Sequence, residues 1–145
     1  MEKQIKLEFK VLGQVKAKQS VKFTKNGVKY TPKDVVTYAN WVRNSFIIAY
    51  PKHKPEDMEG LYLTIGIFAY FKIPESFSKK KKELALAGII RPAKKPDWDN
   101  ISKNICDALN GIAYPDDKAI IAGCVFKYYA ESDYVKIDIS GFKEC

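Results

Sequence analysis

Between Lys94 and Asp117 the chain reads KKPDWDNISKNICDALNGIAYPDD, with five aspartates inside 21 residues: Asp97, Asp99, Asp107, Asp116 and Asp117. Carboxylates at this density suit two jobs. One is structural. Aspartate at a helix start accepts backbone N–H bonds and favours the dipole, and Asp116-Asp117 after Pro115 makes an ordinary turn. The other is to hold a hard cation such as Mg2+ through oxygen ligands, as phosphodiester hydrolysis requires. Asp97-Trp98-Asp99, followed by Asn100 and by Lys103 four residues after Asp99, exceeds what a cap needs. Lys103 is suited to holding a phosphate or stabilising developing negative charge. Its plainer role, an exposed Asp99–Lys103 pair, is worth only about 0.3 to 0.5 kcal/mol. With Asp97 and Asp99 directed to one side, Trp98 is expected to turn into the core.

Other hydrolytic schemes are closed by composition. His53 is the only histidine, which removes Ser-His-Asp triads and zinc sites with several His ligands. Cys106, Cys124 and Cys145 are odd in number and form no C-x-x-C, so neither a disulfide framework nor a zinc site is expected. Cys106 and Cys124 lie in apolar surroundings and read as small core residues.

Charge points to the partner. Met1 to Lys95 carries 20 basic and 8 acidic residues (+12), and Pro96 to Cys145 carries 5 and 9 (−4), giving the net +8. A basic body beside an acidic segment fits a polyanion together with a cation site, although a solubilising lysine surface gives the same count. Only Arg43 and Arg91 are arginine. Lysine is a point charge for phosphates, so contacts should read backbone and shape more than base sequence. No apolar run is long enough to span a membrane and the N-terminus MEKQIKLEFK is no signal peptide, so a cytoplasmic protein is expected.

The positioning elements read as mixed α and β within one domain, residues 1–145. Gln4–Leu12 alternates as a strand. Asn26-Gly27 sits between two short β-like runs, a hairpin signal. Pro32–Tyr50 carries helical spacing, with Thr31 as N-cap and Pro32 at the first position. In Leu61–Ile73, a strand, Leu61, Leu63, Ile65, Ile67, Ala69 and Phe71 share one face. The opposite face holds Tyr62, Phe68 and Tyr70, for which core beneath a helix is the simplest reading; a dimer surface and a base-stacking platform are the alternatives. Ser78–Leu86 is a short helix ending at Gly88. Lys79, Lys80, Lys81 and Lys82 fill its first turn, where the dipole disfavours cations, which is easier to understand if a phosphate backbone passes there than as a solvated face alone. Ile101, Ile105, Ala108, Leu109 and Ile112 stripe a further helix, with Asp99, Lys103 and Asp107 on its polar side. Ala119–Tyr129 is the next strand.

Lys95-Pro-Asp97-x-Asp99-Asn100, x-x-Lys103, Asp107-Ala-Leu-Asn-Gly111 and Asp116-Asp117 together resemble the signature of the RusA family of Holliday junction resolvases, found in bacteria, phages and prophages. YTPKDVVTYANWV and YFKIPESFSKKKKELALAG resemble upstream elements of prophage members, so the likeness covers nearly the whole chain. The resemblance implies an α+β fold, a mixed β-sheet with helices packed on it, and a homodimer acting on branched DNA. It implies Mg2+-dependent paired nicks (Mn2+ may substitute) that leave ligatable 5′-phosphate and 3′-hydroxyl ends, with no small-molecule cofactor and no membrane. It matches Asp97, Asp99 and Asp117, with Asp116 beside them, to the metal site, and Lys103 to the catalytic lysine. DNA contacts are expected from Lys16, Lys18, Lys22, Lys25, Lys79, Lys80, Lys81, Lys82, Lys94 and Lys95. Where many relatives carry Lys-x-Arg-Pro-Arg-Phe this chain has Lys18-Gln-Ser-Val-Lys22-Phe23, which implies an altered DNA grip. The competing readings are a non-catalytic DNA-binding phage protein and a same-fold nuclease acting on flaps or forks.

Overall fold

Alternating apolar residues build the sheet and a 3.6-residue stripe builds the helix that carries the acids. The computed structural model describes residues 2–16, 22–23, 27, 29–30 and 33–144. Its backbone divides into two compact units, one of Met1–Val15, Gly60–Lys95 and Lys118–Cys145, the other of Lys16–Glu59 and Pro96–Asp117.

The first unit is a four-stranded mixed sheet. In chain order its strands are β1 (Glu2–Leu12), β4 (Tyr62–Lys72), β5 (Ile120–Ala130) and β6 (Tyr134–Glu144), arranged β1-β6-β4-β5. β6 lies antiparallel to both neighbours, with Leu7 opposite Ile139 on one side and Ile65 opposite Ile139 on the other. β4 and β5 run parallel, Phe68 beside Phe126. One face is buried: Leu7, Phe9, Val11, Leu63, Ile67 and Ile137 are shielded almost completely. β4 follows the expected alternation strictly, so a register slip of one residue would expose this whole set.

The opposite face departs from expectation. Tyr62 is 56% exposed, Phe126 41%, and Phe68, Tyr70 and Tyr128 are half-exposed, so these aromatics are not core beneath a helix. Cys124, expected in the core, is half-exposed on the same face, because the register sets it beside Gly66. Here the aromatic rings satisfy one another across strands instead.

Helix α2 (Lys79–Leu86) packs against β5, with Ser78 as N-cap accepting from the Lys81 N–H at 3.2 Å. Gly88 follows with φ of 79°, the left-handed turn expected at its end. The chain then runs beside β5, where the Arg91 Nε donates to the Lys127 carbonyl at 2.6 Å and its guanidinium lies 3.7 Å over the Tyr128 ring.

The second unit contains α1 (Lys33–Ala49) packed on α3 (Trp98–Leu109), with Tyr38, Val42 and Phe46 buried from the first and Ile101, Ile105 and Leu109 from the second. It also holds the hairpin of β2 (Lys22–Phe23) and β3 (Lys29–Tyr30), Lys22 opposite Tyr30, with Gly27 at φ of 79° between them. Asn26 of the expected turn, and Thr31 and Pro32 of the expected helix start, lie outside the described residues.

Candidate active site

Helix α3 sorts its side chains by chemistry. Its apolar stripe is fully buried, while Asp99, Lys103 and Asp107 are exposed on the polar side, as their spacing predicts. Asp97 takes the N-cap position with φ of −67° and ψ of 149°, and its carbonyl accepts from the Ile101 N–H at 3.0 Å. Its carboxylate makes no capping hydrogen bond. The bond that would explain this aspartate structurally is therefore not used. Asp99 and Lys103 make no ion pair with each other, so the lysine is held by neither neighbour of its own turn.

Trp98 is 58% exposed rather than buried in the core. Alternation to opposite sides belongs to extended chain, and Trp98 is already the first helical residue. Successive side chains there step round the axis by about 100°, and this ring projects before the first buried turn.

At the other end of α3 the chain is tied into a tight return. Asn110 is the C-cap, and Gly111, at φ of 73°, donates from its N–H to the Tyr114 carbonyl at 2.8 Å. Tyr114 is wholly buried and its hydroxyl donates to the Cys106 carbonyl at 2.8 Å. Burial pushes both the Tyr114 hydroxyl and the Cys106 thiol up, so neither ionises at neutral pH. His53 Nε2 lies 2.8 Å from the Ala113 carbonyl, and its Nδ1 lies 3.7 Å from Asp57.

This return delivers Asp116 and Asp117. The Asp117 N–H donates to Asn110 Oδ1 at 2.8 Å, and Asn110 Nδ2 donates to Asp117 Oδ2 at 3.5 Å. The Asp117 carboxyl sits above its ordinary value, first through desolvation and then through a side-chain hydrogen bond shared with Asp116 that favours its protonated form, with the charges of Asp107 and Asp116 adding to the shift and Asn110 opposing it. The charges of Asp107 and Asp116 thus bear on Asp117, a repulsion that a nearby cation would relieve.

The structure does not gather all the expected acids in one place within one chain. Eleven residues of helical rise separate Asp99 from Asn110, about 16 Å along the axis. Asp97 and Asp99 therefore mark one end of α3, and Asp107, Asp116 and Asp117 the other, with Lys103 on the polar side between. Among the described residues no three His, Cys, Asp or Glu side chains lie close enough to hold one ion. The donor set has the right chemistry for Mg2+ but is split into two halves.

The expected DNA-binding lysines distribute as follows. Lys16 is half-exposed at the start of the second unit, and its carbonyl accepts from the buried Asn104 of α3 at 2.7 Å. Lys22 lies in β2, and Lys18 and Lys25 lie outside the described residues. In the first unit Lys79, Lys80 and Lys81 are exposed and Lys82 half-exposed on the opening turn of α2, which holds no acid. Lys94 and Lys95 are exposed, the Lys94 ammonium 5.5 Å over the Phe71 ring.

Sequence reasoning gave no role to Asn104, Asn110 or His53. Asn104 is the sole polar residue that falls on the buried side of the α3 stripe, which could have marked it. Asn110 stands in the Asp107–Gly111 run without a feature that forecasts its bond to Asp117.

A family model described as "Endodeoxyribonuclease RusA" matches residues 12–140. The chain is also 39% identical over 90 residues to the uncharacterized protein YqaN of Bacillus subtilis (strain 168), a match covering 61% of this chain and 63% of that one. The alignment thus spans just under two thirds of that relative.

Proposed function

The chain belongs to the RusA family of endodeoxyribonucleases, and from that premise we propose that it is a Mg2+-dependent, structure-selective nuclease that resolves four-way DNA junctions by paired nicks, working as a homodimer in the cytoplasm. The observation that carries the nuclease reading is Asp97, which occupies a cap position without using its carboxylate to cap. Asp99, exposed two residues on, and Lys103, exposed one turn further, complete a face presenting two carboxylates and an ammonium to solvent.

The split acid set supports the two-copy part of the proposal. Two α3 helices running antiparallel across a two-fold axis set the N-terminal end of one beside the C-terminal end of the other. Asp97 and Asp99 of one copy then join Asp117 of its partner copy, with Asp116 adjacent. Symmetry makes two such sites, one for each of two opposed strands. A hard cation in such a site supplies charge relief at the phosphate and a more acidic water. The chain's own residues do the rest. Lys103 holds the scissile phosphate and offsets charge that develops on its oxygens. Asn110 keeps Asp117 at the surface in a fixed orientation. Lysines of α2 hold the DNA backbone without reading bases.

The test is cleavage of a labelled four-way junction and of a linear duplex of equal arm length, with and without Mg2+, and with Mn2+ in its place. Paired, ligatable nicks on the junction are expected, and Asp99→Asn should lower the rate at least about 100-fold, roughly 2.7 kcal/mol of barrier, with DNA binding retained. Preference for flaps or forks would reassign the substrate. Binding with no metal-dependent cutting would return the aspartates to caps and turns and leave a DNA-binding protein.

A further inference from the structure

Trp98 is the one large apolar side chain of α3 that the fold leaves uncovered. Ile101, Ile105 and Leu109 are wholly buried on the helix stripe, while the Trp98 indole is 58% exposed. Rings of the sheet are set against one another, Phe68 on Phe126 and Tyr70 on Tyr134. Among the described residues no ring or cation is set against Trp98. Its neighbours in the chain are Asp97, whose carboxylate caps nothing, and the exposed Asp99, with the exposed Lys94 and Lys95 shortly before. We propose that Trp98 is the residue that selects branched over linear DNA: its indole stacks on the face of a base left open at the branch point, beside the scissile phosphate. The inference rests on the nuclease reading above and names the feature of the substrate that this site recognises.

Position comes first. Consecutive Cα atoms stand about 3.8 Å apart, so a phosphate that Asp97 and Asp99 engage through a cation brings its nucleotide within reach of the ring. The indole is also carried by a helix whose buried stripe fixes it in place, which suits a recognition group better than a loop does.

Three features favour a base over a protein surface as the ring's partner. The first is the company it keeps. An apolar groove that took up the indole would draw Asp97 and Asp99 out of water with it, and burying unpaired carboxylates is costly. A second copy meeting the ring about a two-fold axis would crowd four carboxylates together. A stacked base covers one face of the ring and leaves the acids to solvent and cation.

The second is indifference to sequence. Every base has a π-face, so stacking holds DNA without reading its letters. That matches a chain with two arginines and many lysines, which grips phosphates and lacks bidentate readers of bases.

The third is the shape that must be told apart. In a linear duplex neighbouring base pairs cover both faces of each base, and opening a step costs free energy. That cost is least where a base is already unpaired or unstacked. Base stacks end where arms meet, so an indole beside the scissile phosphate finds an open face at a branch point and none along a plain duplex.

The experiment uses Trp41→Phe, which leaves Trp98 as the only tryptophan. Indole emission is followed without Mg2+ as a four-way junction, or a linear duplex of equal arm length, is added. The junction should quench Trp98 and the duplex should not. With Mg2+ present, Trp98→Ala and Trp98→Leu should each cut the junction at least about 10-fold more slowly, as loss of one base–aromatic stack predicts. Trp98→Phe should keep most of the rate, and affinity for the linear duplex should be unchanged in all three. An abasic nucleotide at the branch point should slow the wild type and slow Trp98→Ala no further, the mark of one shared contact. Emission that ignores the junction overturns the proposal. So does leucine performing as well as phenylalanine, since plain apolar contact would then suffice. Emission that shifts with protein concentration before DNA is added also overturns it, by assigning the ring to a second copy. Should a variant fail to fold, quenching of the wild-type chain decides: equal responses to junction and duplex overturn the proposal. Quenching needs no cutting, so a junction that quenches Trp98 and is never cut preserves the stacking and removes the nuclease reading. A junction cut equally well by wild type and Trp98→Ala does the reverse.

Discussion

At the scale of single residues, Asn110 and Asp138 carry tests that separate position from charge. Asn110 makes two contacts to Asp117, one to its backbone and one to its carboxylate. Asn110→Ala should cost about 1 kcal/mol of stability for the lost hydrogen bonds, read by thermal melting. It should also reduce Mg2+-dependent cutting with DNA affinity unchanged, because Asp117 loses its fixed orientation. Asp138 concerns proton linkage. Desolvation raises its carboxyl above the ordinary 3.8, Lys136 opposes the shift and Glu8 adds to it. The folded chain thus holds this proton more tightly than the unfolded chain, and its stability falls as pH rises through the raised value. Asp138→Asn should therefore melt higher than wild type at neutral pH, and the difference should vanish well below 3.8. Melting curves across that range check both the sign and the window.

At the scale of elements, the lysine-rich start of α2 sets helix stability against DNA binding. Four cations occupy the first turn, with no acid to offset them. Replacing Lys79, Lys80, Lys81 and Lys82 with glutamine should firm the helix, as faster-to-slower amide exchange across 79–86 would show. The same change should flatten the dependence of log K on log salt by up to about 3.6 for a duplex arm, at about 0.9 per phosphate contact. Most elements were legible because each had its own periodicity: Ile101, Ile105, Ala108 and Leu109 in α3, and Leu63 to Phe71 in β4. β6 escaped, although Val135, Ile137 and Ile139 alternate within it, because three inward residues among charges make a weak local signal. Its place between β1 and β4 is fixed only by partners far away in the chain. The candidate site was legible only as residue types and spacing. Residue types and spacing marked the acids, while the separation of Asp97 and Asp99 from Asp117 depends on how the chain returns from α3. The fate of the aromatic face was hidden as well, since alternation tells which residues share a face but not what covers it.

At the scale of the whole molecule, the division of the acids between the ends of α3 gives a complementation test. Asp99→Asn and Asp117→Asn chains should each be inactive as homodimers. Mixed and allowed to exchange, chains that dimerise as proposed would form heterodimers in which one shared site has lost both residues and the other keeps both. About half of the mixed dimers' sites then work, so nicking should reappear without paired cutting, and Mn2+ binding followed by paramagnetic resonance should return in the same samples. If each site were built within one chain, every site in the mixture would lack a residue and no nicking would return. The sheet order has a separate consequence for how the fold comes into being. β1 joins the sheet only through β6, which lies between it and β4 and pairs Leu12 with Tyr134 and Glu2 with Glu144. Such distant pairing is slow to form. On the ribosome the first strand must wait, unpaired, until nearly all of these residues have emerged. A nascent chain therefore cannot present the finished sheet until synthesis has passed Glu144, and the proposed nuclease would be silent until then.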